Sequence, residues 1–172
     1  MSVLSRVLRR RRLLQVAVSA AAAGAAGCTG RSGRWRFFTV QEAETAGAIC
    51  ERIIPADQDP GAASAGVLNY IDLQLVGPLK KHQRLYRQGL AGVDDLSIAR
   101  FGKRFSALAT SEQDVVLTAI ESRPFFALIR DHTMQGFYGD PRHGGNREYA
   151  SWRMLEVPPA PIRGRQLYDR TS

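Results

Sequence analysis

Apolar side chains recur every three or four positions through most of this chain, and no stretch alternates in the two-residue rhythm of a strand. Ala43, Ala46, Ile49, Cys50 and Ile53 share one face of a first helix. Thr39-Val40-Gln41-Glu42 opens it as a capping box, in which hydroxyl and carboxylate satisfy free backbone amides reciprocally. Pro55 closes it, because the residue before a proline avoids the α region. The turn-rich "PADQDPGAASAG" follows. Val67, Leu68, Ile71, Leu75 and Val76 then predict a second helix over about residues 64–76, stopped by Gly77-Pro78. A third covers roughly residues 79–100, with Gly89 and Gly92 inside it as marks of a kink or of close helix packing. Thr110-Ser111-Glu112-Gln113 offers another capping box ahead of Val115, Val116, Leu117 and Ile120. Pro124 suits the first position of a final helix carrying Phe125, Phe126, Leu128 and Ile129. The expected fold is all-α, with about five helices in a single domain and a long irregular C-terminal segment.

Periodicity is lost at Gly136. The stretch "GFYGDPRHGGNREYASW" brings an Asp, a His, two Arg, an Asn and four Gly into one polar segment with aromatics at both ends. Asp140, His143, Asn146 and Arg147 could form an acid–base and anion-binding cluster. Gly139-Asp140-Pro141 and Gly144-Gly145-Asn146 are equally turn chemistry, with Gly and Asn supplying positive φ and Asp capping turns. Tyr138, Tyr149 and Trp152 are amphipathic anchors of the kind common at interfaces. An acid–base site also needs a pocket and a partnered base, so the residues favour a shaped interaction loop.

Charge changes the picture less than its total suggests. The chain of 172 residues has a formal charge of +8, but five of its 24 basic residues lie before Leu13, which leaves 19 against 16 acidic ones. A body that near neutrality has no electrostatic footprint for a phosphate backbone, and nucleic acid is set aside as a partner. The basic N-terminus, "RVLRRRR", precedes the weakly apolar "LLQVAVSAAAAGAAG", the order of an export signal. Arg10 and Arg11, followed by Arg12-Leu13-Leu14, resemble the twin-arginine pattern, whose route carries folded proteins; an ordinary Sec signal with extra arginines is the alternative. The apolar run falls short of the about 18 residues a transmembrane helix needs. Residues 1–27 are read as a cleavable signal, 28–36 as a linker, 37–158 as the helical domain and 159–172 as a basic tail.

Ala25-Ala26-Gly27-Cys28 resembles a lipoprotein box, with Cys28 as the acylated residue; cleavage at a nearby Ala-x-Ala is the alternative. Cys28 and Cys50 could also pair in an oxidising compartment, although Cys50 on an apolar helix face reads first as a buried thiol. His82, His132 and His143 show no metal-ligand spacing, and His132 reads as a helix-face hydrogen bonder. There is no Gly-x-Ser-x-Gly, and Gly144-Gly145 lacks the strand–loop–helix setting of a phosphate cradle. The acidic pairs Asp94-Asp95 and Asp57/Asp59 read as solvated charges.

Several elements together carry a resemblance over about residues 37–158. They are Ile53-Ile54-Pro55-Ala56, then Pro60-Gly61-Ala62 with Ala65-Gly66-Val67, and Tyr70-Ile71-Asp72. Phe125-Phe126, Arg130, Thr133 and Gly136-Phe137-Tyr138 follow, and "DPRHGGN" at residues 140–146 with Trp152 beyond is the most specific. In these the chain resembles the gluconate 2-dehydrogenase subunit 3 family, the small subunit of periplasmic flavin-dependent sugar and polyol dehydrogenases. The resemblance implies a non-catalytic subunit that binds no cofactor itself. It implies a large GMC-type partner holding FAD, a multihaem cytochrome c partner, and shared export through the twin-arginine translocase to the periplasmic face of the inner membrane. It turns Tyr138, Asp140, Pro141, His143, Gly144, Gly145, Asn146, Arg147 and Trp152 into an expected partner interface. The chain departs from the family pattern at Ser151, where a Gly is common, and at Glu156-Val157-Pro158-Pro159-Ala160.

Overall fold

A computed structural model describes residues 34–158. Among them the architecture is all-helical, as the periodicity predicts: α1 Val40–Ile53, α2 Val67–Leu75, α3 Gln83–Phe101, α4 Thr110–Ile120, α5 Pro124–Tyr138 and a short α6 Ala150–Met154. The leader with Arg10 and Arg11, Cys28 and the tail from residue 159 lie outside the described residues.

Thr39 caps α1 as its box predicts. Its Oγ1 accepts from the Glu42 amide at 3.2 Å, and Glu42 Oε2 accepts from the Thr39 amide at 2.9 Å. The segment leading into that cap is fastened by one carboxylate. Asp72 on α2, only 2% exposed, accepts from the backbone amides of Arg36, Phe37 and Phe38 at 2.8, 2.9 and 3.1 Å. Phe37 and Phe38 are thereby held in the core, and Trp35 packs against it, so the packed domain already includes the end of the expected linker.

α1 is the central helix, packed against α2, α3, α4 and α5. Ile49, Ile71, Leu90 and Ile129 meet around it with Tyr86, Phe105 and Phe137, each at most 1% exposed. Burying one such side chain stabilises by about 1.5–3 kcal/mol. α1 and α3 are further joined at Asp94, read from sequence as a solvated charge. It accepts from Thr45 Oγ1 at 3.0 Å and the Phe105 amide at 3.2 Å, and pairs with Arg104 at 2.5 Å. Only tertiary contact, invisible in the pair Asp94-Asp95, makes it an anchor.

Three helix starts differ from expectation. α2 begins at Val67 rather than near residue 64, because Gly66 stands left-handed at φ 71° and interrupts the turn before it. The first turn expected for α3 is instead the 3₁₀ turn Lys80–His82. At α4 the cap is Ala109, not Thr110: Glu112 Oε2 accepts from the Ala109 amide at 2.9 Å, but alanine has no oxygen to return. Only half of a capping box is formed. Gln113, expected to complete it, turns inward and donates to the Phe105 carbonyl at 3.0 Å.

The glycines of α3 divide as well. A Cβ on Gly89 would lie 2.1 Å from the Phe125 ring, so this glycine admits α5 to close contact; at Gly92 a Cβ would meet nothing within 4 Å.

Candidate functional site

The polar segment after α5 folds into two 3₁₀ turns, Pro141–His143 and Arg147–Tyr149, before α6. Helical order returns there at Ala150, in a stretch expected to stay irregular. Asn146 organises the segment from inside. It is fully buried, its amide nitrogen Nδ2 donates to the Gly139 carbonyl at 2.9 Å, and its Oδ1 accepts from the Ser151 amide at 2.9 Å. Its own backbone amide donates to the Gly136 carbonyl at 2.8 Å. One side chain thus joins the end of α5 to the start of α6, in a left-handed conformation (φ 42°) that asparagine tolerates better than most residues.

The glycines on either side are required by contact. A Cβ at Gly145 would lie 2.1 Å from the Gly136 carbonyl oxygen. Gly144, at φ 96°, faces Leu73 of α2, and its carbonyl accepts from Asn69 Nδ2 at 2.7 Å. Asn69 and Leu73, one helical turn apart, form the bed on which the loop lies. Sequence reasoning missed both, since an Asn and a Leu on one helix carry no mark of what they receive.

Asp140 caps the first 3₁₀ turn. Its Oδ1 accepts from the Arg142 amide at 2.9 Å and its Oδ2 from Arg142 Nη2 at 2.7 Å, and these bonds hold its carboxyl below the usual carboxylate range. Arg142 was not among the expected site residues, yet it is the partner that engages Asp140. Pro141 starts the turn, where it lacks only an amide that would be unpaired. His143 is exposed. Trp152 Nε1 donates to the Tyr138 carbonyl at 2.9 Å, and the Tyr149 and Trp152 rings lie 5.6 Å apart. Tyr138 and Tyr149 are 38% and 39% exposed, so the aromatic edge of the loop faces outward.

The acid–base set suggested by the sequence is therefore not assembled. Asp140 is engaged by Arg142, Asn146 is enclosed, and Arg147 turns to the other side of the loop. There its backbone amide donates to the Ala65 carbonyl at 2.9 Å, and its guanidinium lies against Gly66. Neither hollow that Arg147 lines includes Asp140, His143 or Asn146.

Two further titratable groups, Cys50 and His132, lie in the core. Cys50 is a free, buried thiol, pushed up to about 12 by burial, with Thr133 Oγ1 3.3 Å from its sulfur. Nucleophilic chemistry needs the thiolate, which burial suppresses. His132 makes the hydrogen bond expected of it, from a helix face turned into the core. Its Nδ1 lies 3.0 Å from the Tyr86 hydroxyl, and burial, aided by nearby His82, lowers it to about 4. Among the described residues no three His, Cys, Asp or Glu side chains come together as a metal cage. Nor is any described helix long and apolar enough to cross a membrane.

The described residues thus form a small helical protein whose polar loop is held in shape by its own side chains. The chain belongs to the gluconate 2-dehydrogenase subunit 3 family, whose model matches residues 40–159. No curated protein and no solved structure matches the chain.

Proposed function

We propose that this chain is the non-catalytic small subunit of a flavin-dependent dehydrogenase complex. In this reading it binds a large GMC-type subunit that holds FAD and oxidises a sugar or polyol, and electrons pass to a multihaem cytochrome c subunit. The observation that carries the reading is the family match over residues 40–159, which includes the whole of the polar loop. The loop's geometry supports it: Asp140 and Asn146, two of the four groups that suggested catalysis, are engaged within the chain, while its aromatic edge is exposed.

The residues take two roles on this reading. Gly144, Gly145 and Asn146 hold the loop's shape from within. Tyr138, Asp140, Pro141, His143, Arg147 and Trp152 offer the surface, with the aromatics as the dominant contacts. Arg10 and Arg11 direct the chain, with its folded partner, through the twin-arginine translocase to the periplasmic face of the inner membrane. Cys28 marks either a lipid anchor or the neighbourhood of ordinary cleavage. A stand-alone acid–base activity would need Asp140, His143, Asn146 and Arg147 to converge, and no observation favours it.

The test is affinity purification of the tagged full-length chain from native membrane and periplasmic fractions. A large co-purifying protein with a flavin spectrum, lost when Arg10 and Arg11 are replaced by Lys, is the expected result. A colourless chain without a partner would overturn the reading.

A further inference from the structure

The entry segment and the C-terminal loop meet at a hollow of about 320 Å³ beside the N-terminal end of α2. Arg34 and Trp35 line it from the entry segment, Arg147 from the C-terminal loop, and Ala63, Leu68 and Asn69 from the loop before α2 and α2 itself. Arg34 stacks on the Trp35 ring at 5.1 Å. The backbone of Arg147 is fixed twice over, by its own amide on Ala65 and by the locked Asn146 before it. Among the described residues neither guanidinium has an acidic partner; Asp59 and Glu148 line the neighbouring hollow with Arg147 but form no ion pair with it. Two guanidinium groups lining one partly enclosed hollow, with no acidic partner among the described residues, make an anion site.

The kind of anion follows from which donors remain. A phosphate calls for a nest of free backbone amides. Here the amides of Ala62, Gly66 and Val67 already donate to the carbonyls of Ile54, Ala63 and Ala62, and that of Ala63 donates to Glu51. Asn69 Nδ2 is held by Gly144. The planar guanidinium forks and the Trp35 indole N–H are left, and a fork takes a carboxylate in two parallel hydrogen bonds. The small walls of Ala62, Ala63 and Gly66 leave room for a side chain entering from outside, and the indole of Trp35 offers an apolar flank.

We infer that this hollow receives an aspartate or glutamate side chain from the dehydrogenase's catalytic subunit, clamped between Arg34 and Arg147. The inference rests on the subunit reading above and names the contact that gives it register. The aromatic edge at Tyr138, Tyr149 and Trp152 supplies contact area, and the carboxylate clamp fixes orientation.

The experiment uses the full-length tagged chain and the flavoprotein that co-purifies with it, with the affinity of the pair measured at low and high salt. Arg147→Gln and Arg34→Gln are each expected to weaken binding by at least about tenfold and to flatten its salt dependence. Ala63→Glu, which places a carboxylate of the chain's own at the hollow, is expected to do the same. Arg153→Gln, an exposed cation lining the neighbouring hollow, should change affinity by no more than about twofold. The guanidinium of Arg147 makes no hydrogen bond within the described residues, so Arg147→Gln should melt with the wild type, and Ala63→Glu reaches the same hollow without touching either arginine. If the flavoprotein binds wild type and the three hollow variants equally, or Arg153→Gln weakens it as much, the clamp is overturned and the subunit reading stands. If wild type captures no flavoprotein, the subunit reading falls and takes the clamp with it.

Discussion

Two stretches without long helices flank this domain, and each is fastened by one buried polar side chain. The entry segment hangs on Asp72, a carboxylate that only accepts and takes three successive amides. The C-terminal loop hangs on Asn146, a neutral amide that donates to Gly139 and accepts from Ser151. The chemistry follows the task. A row of amides needs an acceptor, and a carboxylate offers the most lone pairs; a loop closing on itself needs a group that both gives and takes. The aromatics beside them differ in the same way. Phe37 and Phe38 are at most 3% exposed, whereas Tyr138 and Tyr149 stay outside. One anchor adds to the core, and the other holds a surface in place.

The largest effect expected from this contrast is at Asp72. Asp72→Ala leaves three amides without their acceptor and loosens Phe37 and Phe38 from the core. It should destabilise the whole domain by about 3–5 kcal/mol in urea unfolding, because each enclosed unpaired donor costs about 1–3 kcal/mol. A loss below about 1 kcal/mol would mean that the entry segment is not integral to the fold.

Acid attacks the core between the two anchors rather than either anchor. His132, lowered to about 4 by burial, stays neutral in the folded chain at pH values where the unfolded chain has already bound a proton. The unfolded state therefore binds more protons between its ordinary value of about 6.5 and the folded value, and stability falls as pH is lowered through that window. The expected loss from pH 7 to pH 4 is about 2–3 kcal/mol, with a slope that His132→Gln flattens while leaving Tyr86 an acceptor. An unchanged slope in His132→Gln would assign the acid response to other groups.

Asn146→Ala should cost about 2 kcal/mol, less than Asp72→Ala, because it orphans one carbonyl and one amide and the affected loop can reach water. Its signature is local: amide exchange and proteolysis between residues 139 and 152 should quicken while α1 to α4 stay protected. If both variants unfold the domain to the same degree, the distinction between a core anchor and a surface anchor fails.

The parts legible in the sequence were those governed by neighbours along the chain. The five longer helices came from apolar spacing, the Thr39 cap from its box, and the turn character of residues 139–146 from Gly, Asp and Pro. What was hidden depends on partners far away. Asp94 looked solvated until Thr45 and Arg104 met it. His132 read as a helix-face hydrogen bonder, but nothing local named Tyr86 as its partner or said that the pair would be buried. Asn146 read as a positive-φ turn residue, which it is, but nothing local says that the carbonyls of Gly136 and Gly139 would turn toward it. Even the α4 cap slipped by one residue, because Gln113 was drawn to the Phe105 carbonyl instead of closing a box.

The smallest expected effect comes from an imperfection in the Asn146 anchor. Ser151 is fully buried and its amide is used by Asn146, but its hydroxyl has no hydrogen-bond partner among the described residues. Removing the group while keeping a good helix former, as Ser151→Ala does, should stabilise the chain by about 1 kcal/mol and slow exchange of the residue 151 amide. Asp72 has no such defect beside it, so the gain should be confined to the loop. A melting temperature that falls instead would mean that the hydroxyl has a partner, and that the C-terminal anchor is as fully satisfied as the one at the entry.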